Sequence, residues 1–340
     1  MAYSWKKCWP WIKALLWLGV FAAVAWQFFR ILENEGLRDP EGKRPAGEIL
    51  LEQLASTSIS GVLLCGLLYL VGIGFSAWYF HDLLKEARTP LGFPFALRCY
   101  YTSQLGKYVP GKGMALFLRI TSSMQGGVPA AIGAVVTVYE VLVTMAAGAC
   151  LAVLSGLFLP QARQEHLAGA VFLLAVSLGP VLPWIFPRLV RVLAGRFLSK
   201  NQRDFIPISI SILVKGLVIT GIGWCILGGS LLALWQGMDA SSAWTWQRLG
   251  WCVGVVTLAG VSGFVASTPG GLGVREILIQ AMLAGSLGAR AVTAAILLRL
   301  VWTVAEVVAA AIFFWIPPSL PAKNNSAVVG DTTQSTQGTP

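Results

Sequence analysis

The sequence predicts an all-α fold: a polytopic transmembrane helix bundle with about seven or eight spanning helices, two re-entrant broken helical segments and a possible internal repeat. Three observations lead there. Hydrophobic residues make up 56% of the chain and charged residues only 12%, with a mean hydropathy of +0.71. A soluble domain carries about 25% charged residues, so lipid must be the solvent for most of this chain. Several runs approach or exceed the roughly 20 apolar residues that a crossing needs, and two further apolar stretches are interrupted by proline and glycine.

The candidate crossings are about 11–29, 59–80, 128–158, 166–186, 207–237, 250–266 and 291–316. The first follows Lys6 and Lys7 as a signal peptide would. Arg30 and Glu33 come after it instead of a small-residue cleavage site, so it reads as a retained helix. Segments 128–158 and 207–237 exceed a simple crossing and are expected to tilt, break or project beyond the lipid. The membrane domain takes in residues 1–316. Residues 317–340 form a polar tail rich in Ser, Thr, Asn and Pro, expected to be disordered.

The formal charge of +10 fits membrane topology better than a nucleic-acid surface, because no basic run is interleaved with stacking aromatics. Basic residues collect before the first segment (Lys6, Lys7), after the second (Lys85, Arg88, Arg98, Lys107, Lys112, Arg119) and after the fourth (Arg188, Arg191, Arg196, Lys200, Arg203). That pattern predicts a cytoplasmic N-terminus in the inner (plasma) membrane and, by the same count, a C-terminus on the opposite side. The six cysteines are scattered without a Cys-x-x-Cys pair, and there are two histidines. No metal site, cofactor or disulfide framework is expected.

Two broken segments carry most of the information. In the first, residues 103–113, Pro110 removes a backbone donor while Gly111 and Gly113 permit a sharp turn. The flanking apolar pieces, about 91–102 and 114–121, are each too short to cross. The segment is an ordinary loop or a re-entrant hairpin, and the return to apolar character at Leu116, Phe117 and Leu118 favours the hairpin. In the second, Thr268, Pro269, Gly270, Gly271 and Gly273 precede Val274, Arg275 and Glu276. Free amides at the start of the helix that follows, about 274–284, would favour an anion such as phosphate, to which Arg275 adds a fork-shaped donor.

Pro110-Gly111 and Pro269-Gly270 occupy corresponding places in the two halves, and Glu140 lies as far beyond Pro110 as Arg299 lies beyond Pro269. Paired broken segments of this kind point to a transport site near the membrane midplane. Glu140, Arg299 and Glu306 sit deep in apolar helices, where facing lipid would cost at least a few kcal/mol. Arg299 and Glu306 share a helix face two turns apart. They form a structural ion pair or line a cavity for a lipid headgroup; one arrangement can do both.

Ser103-Gln-Leu-Gly-Lys-Tyr-Val-Pro-Gly-Lys112, then Arg119, Glu140 and Thr268-Pro-Gly-Gly-Leu-Gly-Val-Arg-Glu276, resemble the flippase-like family, the transmembrane region of lysylphosphatidylglycerol synthases, over about residues 10–316. In that family the multiple peptide resistance factors join such a domain to a soluble aminoacyl-transferase domain, and the membrane part is associated with moving the modified lipid between leaflets. The stretch after the last helix is short, so the transferase domain is expected to be absent and the chain to be a transporter rather than an enzyme.

The resemblance carries over to Lys107, Tyr108, Pro110, Gly111, Arg119 and Glu140, and to Thr268, Pro269, Gly270, Gly271, Gly273, Arg275 and Glu276. With Gly113, Arg299 and Glu306 these are the candidate structural and headgroup-binding residues. The function implied is a translocase, or translocase subunit, for an anionic phospholipid or glycolipid, with an envelope-biosynthesis enzyme as a further expected partner and without nucleic acid. The alternatives are a membrane-embedded glycosyl- or lipid-modifying transferase, with Glu140 or Glu306 as base, and a non-catalytic scaffold for an envelope enzyme.

Overall fold

A computed structural model describes residues 46–109, 113–158, 164–194, 208–266, 271, 273–288 and 290–318. The expected first helix (11–29), Pro110, Gly111, Lys112, Thr268, Pro269, Gly270 and nearly all of the expected tail lie outside them.

Every regular element among the described residues is a helix. In chain order they are α1 (Ala46–Ser56), α2 (Ile59–Glu86), α3 (Phe93–Gln104), a 3-10 turn (Leu105–Tyr108), α4 (Met114–Met124), α5 (Ala130–Phe158) and α6 (Gln164–Leu178). After a second 3-10 turn (Gly179–Val181) follow α7 (Phe186–Ala194), α8 (Ile210–Met238), α9 (Trp246–Val265), α10 (Val274–Leu287) and α11 (Arg290–Phe313). Helix starts follow capping rules: Ser58, Ser209 and Thr245 accept the amides of Gly61, Ile212 and Arg248.

Five helices, α2, α5, α8, α9 and α11, are long and apolar enough to cross a bilayer. The α6–α7 pair makes a sixth only if its 69° bend is counted within one crossing. The expected crossing at 166–186 is thus a bent pair, for which Pro180, Pro183 and Pro187 supply the reason: each lacks the amide an uninterrupted helix needs. The long segments 128–158 and 207–237, for which breaks were entertained, are the continuous helices α5 and α8.

Apolar side chains left exposed line up at four-residue spacing: Leu63, Leu67 and Val71 on α2, Val214, Val218 and Ile222 on α8, Val304, Val308 and Ile312 on α11. Such stripes suit contact with acyl chains. Trp184, Trp244, Trp246 and Trp315 are exposed near helix ends, where amphipathic rings favour the membrane–water interface.

Contacts at the helix ends define two faces of the bundle. On the first, the Ser58 amide donates to Gly237 O (2.8 Å), Arg290 reaches Met238 O (3.5 Å) and Ser155 reaches Gly250 O (3.3 Å). The starts of α2, α9 and α11 therefore meet the ends of α5 and α8. On the second, Lys215 of α8 pairs with Asp82 of α2 at 2.7 Å, and Arg98 donates to Ile316 O. Lys215, half exposed beside its acid, sits at the helix end where a snorkelling lysine is expected.

Helices α3 and α4 both open on this second face, and Gly126 closes the base of their hairpin against Leu91 and Phe95. The other end reaches halfway along α2, where Tyr101 donates to Leu70 O (2.7 Å). The tight point there is Gly106, where a Cβ would lie 2.6 Å from the Ala115 backbone. Gly113, expected to permit the turn, has an ordinary φ of −79° and open space around it.

Helix α10 is about 20 Å long at 1.5 Å per residue, too short for a 30 Å core. It packs between α9 and α11 and returns the chain to the first face. The end of α11 consequently lies on the same face as the end of α2, while the C-terminus lies outside the described residues.

Glycine sets the closest helix contact, α2 against α8. A Cβ on Gly223 would lie 2.7 Å from Gly72 O, and one on Gly61 would lie 2.7 Å from Gly237 Cα. Small residues let backbones approach where no hydrophobic driving force exists between helices in lipid. Gly223→Val should force α2 and α8 apart and cost about 1–3 kcal/mol, read as a lower unfolding midpoint in detergent. Gly221→Ala, on the same helix with nothing within 4 Å, should leave that midpoint unchanged or raise it.

Candidate functional site

Three buried carboxylates organise the interior, and each is held by a cation from a different helical element. Glu140 on α5 is fully buried. Arg119 on α4, 3% exposed, donates Nη1 to its Oε2, while Tyr100 (3.1 Å) and Thr144 (3.0 Å) donate to its Oε1. Arg119 Nε donates to Ser103 (3.1 Å), and its guanidinium lies 3.9 Å from the centre of the Tyr100 ring. The α3–α4 hairpin is thereby fastened to α5 by charge and to itself by a cation–π contact.

Glu306 on α11 is also fully buried. It accepts from Lys107 and Tyr69, and from Tyr108 at 2.8 Å, whose hydroxyl also lies 2.9 Å from Thr303. Lys107 and Tyr108 occupy the 3-10 turn at the inner end of the hairpin. Glu276, in the first turn of α10, accepts from Arg299 of α11 at 2.7 Å and from the Gly273 amide at 2.9 Å. The second contact closes the helix start as a capping carboxylate does. Gly271 and Gly273 have φ of +77° and +81°, which side chains rarely adopt, so glycine is required at both. Gly271 also lies close against Gly263 of α9.

The partners differ from those expected. Arg299 and Glu306, expected either to pair with each other or to line a headgroup cavity, each take a salt bridge from a short element packed beside α11. Geometry explains this: side chains two turns apart on a straight helix point the same way but are separated by about 10 Å. Lys107 and Arg119, counted among the basic loop residues, are committed inside the bundle and drop out of the charge asymmetry.

Arg275 is the exception. It is half-buried, its guanidinium lies 4.4 Å from the centre of the Trp302 ring, and among the described residues no carboxylate is within salt-bridge distance. Trp302 stacks on its other partner Tyr69 at 4.4 Å and donates to Ser230 at 3.1 Å, so the platform under Arg275 is rigidly held. The pairing of Arg275 with Arg299 as two phosphate donors is not what the geometry offers, because Arg299 faces Glu276.

Two cavities meet at Arg275. The smaller, about 330 Å³ of empty space, is bordered by Lys107, Tyr108, Glu276, Arg299 and Thr303. The larger, about 570 Å³ including open solvent at its mouth, runs between α2, α3, α5 and α8 and reaches Tyr100 and Thr144 beside Glu140. Of the candidate residues, Lys107, Tyr108, Glu276 and Arg299 line the smaller cavity and Arg275 lines both, while Glu306 lies behind Lys107 and Tyr108, and Arg119 and Glu140 lie behind Tyr100.

Sequence reasoning missed Tyr69, Tyr100, Thr144, Trp302 and Thr303. A signal existed: Tyr69 and Trp302 lie inside apolar spans, and a buried phenol or indole needs a polar partner.

An interior of ion pairs and hydroxyls inside a shell of lipid-facing helices defines a polytopic α-helical membrane protein with a polar core. The chain belongs to the lysylphosphatidylglycerol synthase TM region family, whose model matches residues 46–316. That family places it among membrane proteins of lipid metabolism and translocation. No curated protein matches the chain.

Neutralising one member of a buried pair leaves the other uncompensated. Glu140→Gln should therefore destabilise the protein by about 3–5 kcal/mol, and the double change Arg119→Met/Glu140→Met should recover at least half of that loss. Unfolding in detergent measures both. A double variant as unstable as the sum of the two single variants would mean that the pair is not coupled.

Proposed function

We propose that this protein is a lipid translocase, or the membrane subunit of one, acting on an anionic or glycosylated lipid of the cell envelope. The observation that carries the reading is Arg275: a cation on an aromatic platform, without a carboxylate among the described residues, on the wall of an interior cavity in a membrane domain of a lipid-handling family. A phosphate oxygen is the natural partner for a guanidinium so placed. Lys107, Tyr108, Arg119, Glu140, Glu276, Arg299 and Glu306 hold the cavity open by pairing with one another, so that a headgroup enters a prepared polar space.

The α3–α4 hairpin has both ends on one face and its tip at mid-depth, which supports a re-entrant role for it. The α9–α10 pair opens on the opposite face, and α5, α6 and α8 lie between the two hairpins. An odd number of connecting passes is what an inverted internal repeat would require. Lys85, Arg88, Arg188, Arg191 and Lys215 sit toward the second face, which we read as cytoplasmic in the inner membrane, with a cytoplasmic N-terminus.

Reconstitution into liposomes with fluorescent phosphatidylglycerol, followed by quenching of the outer leaflet, tests the reading. Wild-type protein should speed leaflet exchange over protein-free vesicles, and Arg275→Ala should slow it about tenfold or more. Equal rates for the two proteins would remove Arg275 from the site. Exchange no faster than in empty vesicles would end the translocase assignment for the isolated chain.

A further inference from the structure

Among the described residues, Arg275 is the only charged residue lining the larger cavity. The three buried carboxylates nearest to it, Glu140, Glu276 and Glu306, are each engaged by a cation, and none borders this space. Its remaining polar wall includes Tyr69, Ser76, Tyr100, Gln104 and Thr144. Three of those hydroxyls have spent their proton on the protein. Tyr69 donates to Glu306, while Tyr100 and Thr144 donate to Glu140. Each oxygen has only acceptor capacity left to offer, and that of Tyr69 is shared with Lys107 Nζ at 3.4 Å.

The wall therefore combines one guanidinium with neutral acceptors. A phosphodiester answers the guanidinium, and ligand hydroxyls answer the acceptors. An ammonium group is badly served. It would lose its hydration without a carboxylate to offset the loss, and it would lie near a fixed positive charge.

We infer that the cavity selects a phosphodiester lipid whose headgroup is an uncharged polyol, of the phosphoglycerol or sugar-phosphate type, and rejects headgroups carrying an amine. This rests on the translocase reading for its biological sense but not for its binding chemistry. It also separates this chain from the aminoacylated, cationic lipid that the family's description names: the described interior has no free carboxylate on this cavity wall to receive a lysyl group.

Binding to the full-length protein in detergent, measured with short-chain lipids, tests it. Dioctanoyl phosphatidylglycerol should bind at least about tenfold tighter than dioctanoyl phosphatidylethanolamine or lysyl-phosphatidylglycerol, and Arg275→Gln should abolish the difference. Gln104→Glu places a carboxylate on the same wall with almost no change in shape, and should strengthen lysyl-phosphatidylglycerol binding about tenfold or more.

Equal affinity for all three lipids, or no gain from Gln104→Glu in a protein that still binds phosphatidylglycerol, would overturn the inference. Glycerol phosphate without acyl chains is the soluble arm; if it bound as tightly as the lipid, the site would be one for a soluble anion and the lipid assignment would fall. Selective, Arg275-dependent binding without leaflet exchange would sustain this inference while ending the translocase reading. Exchange of all lipids at one rate would do the reverse.

Discussion

Charge inside a membrane domain has to be answered within the protein, because acyl chains offer nothing to an ion. Here that constraint decides how the short helices are held. The α3–α4 hairpin and α10 are too short to be fixed by crossing the bilayer, and each is anchored by a buried ion pair to a long helix. Arg119 joins the hairpin to α5, Lys107 joins its tip to α11, and Glu276 joins α10 to α11. The two hairpin anchors, at α5 and α11, tie the first half of the described chain to the last helix. Glycine contacts between α2 and α8 supply a dense seam beside them.

A pattern emerges in the distribution of charge. Two of the pairs join a short helix to the long helix that follows it in sequence, but with the signs exchanged: cation on α4 and anion on α5, anion on α10 and cation on α11. The third pair crosses between the halves. Six charges are neutralised in this way, and Arg275 is left facing the cavity from the ring of Trp302. A site with one surplus positive charge, walled by hydroxyls already oriented by buried carboxylates, is suited to a phosphate and the polyol attached to it. The ion pairs set the orientation of those hydroxyls, so in the proposed reading structural and binding roles would be carried by the same network.

Membership in the lysylphosphatidylglycerol synthase TM region family gives a lipid context, and the cavity gives the context its chemistry. The two bear on different questions. The family says what kind of protein this is. Under the proposed function, the absence of a carboxylate among the described residues lining the larger cavity points away from a cationic headgroup.

Composition and hydropathy alone determined that the chain is a helical membrane protein, because runs of roughly 20 apolar residues have no other solvent. They also located both interrupted segments, since proline and glycine mark breaks by their own backbone chemistry, and they singled out Glu140, Arg299 and Glu306 as ions that need partners. Which partners these would be was beyond them. An isolated charge states a requirement and says nothing about direction, and Lys107 reaches Glu306 across most of the sequence. The return of α10 to the first face and the placement of Arg275 on the ring of Trp302 are likewise products of tertiary packing. Each depends on which helices lie side by side, and long-range contact, unlike hydropathy, is not a property of any single stretch of chain.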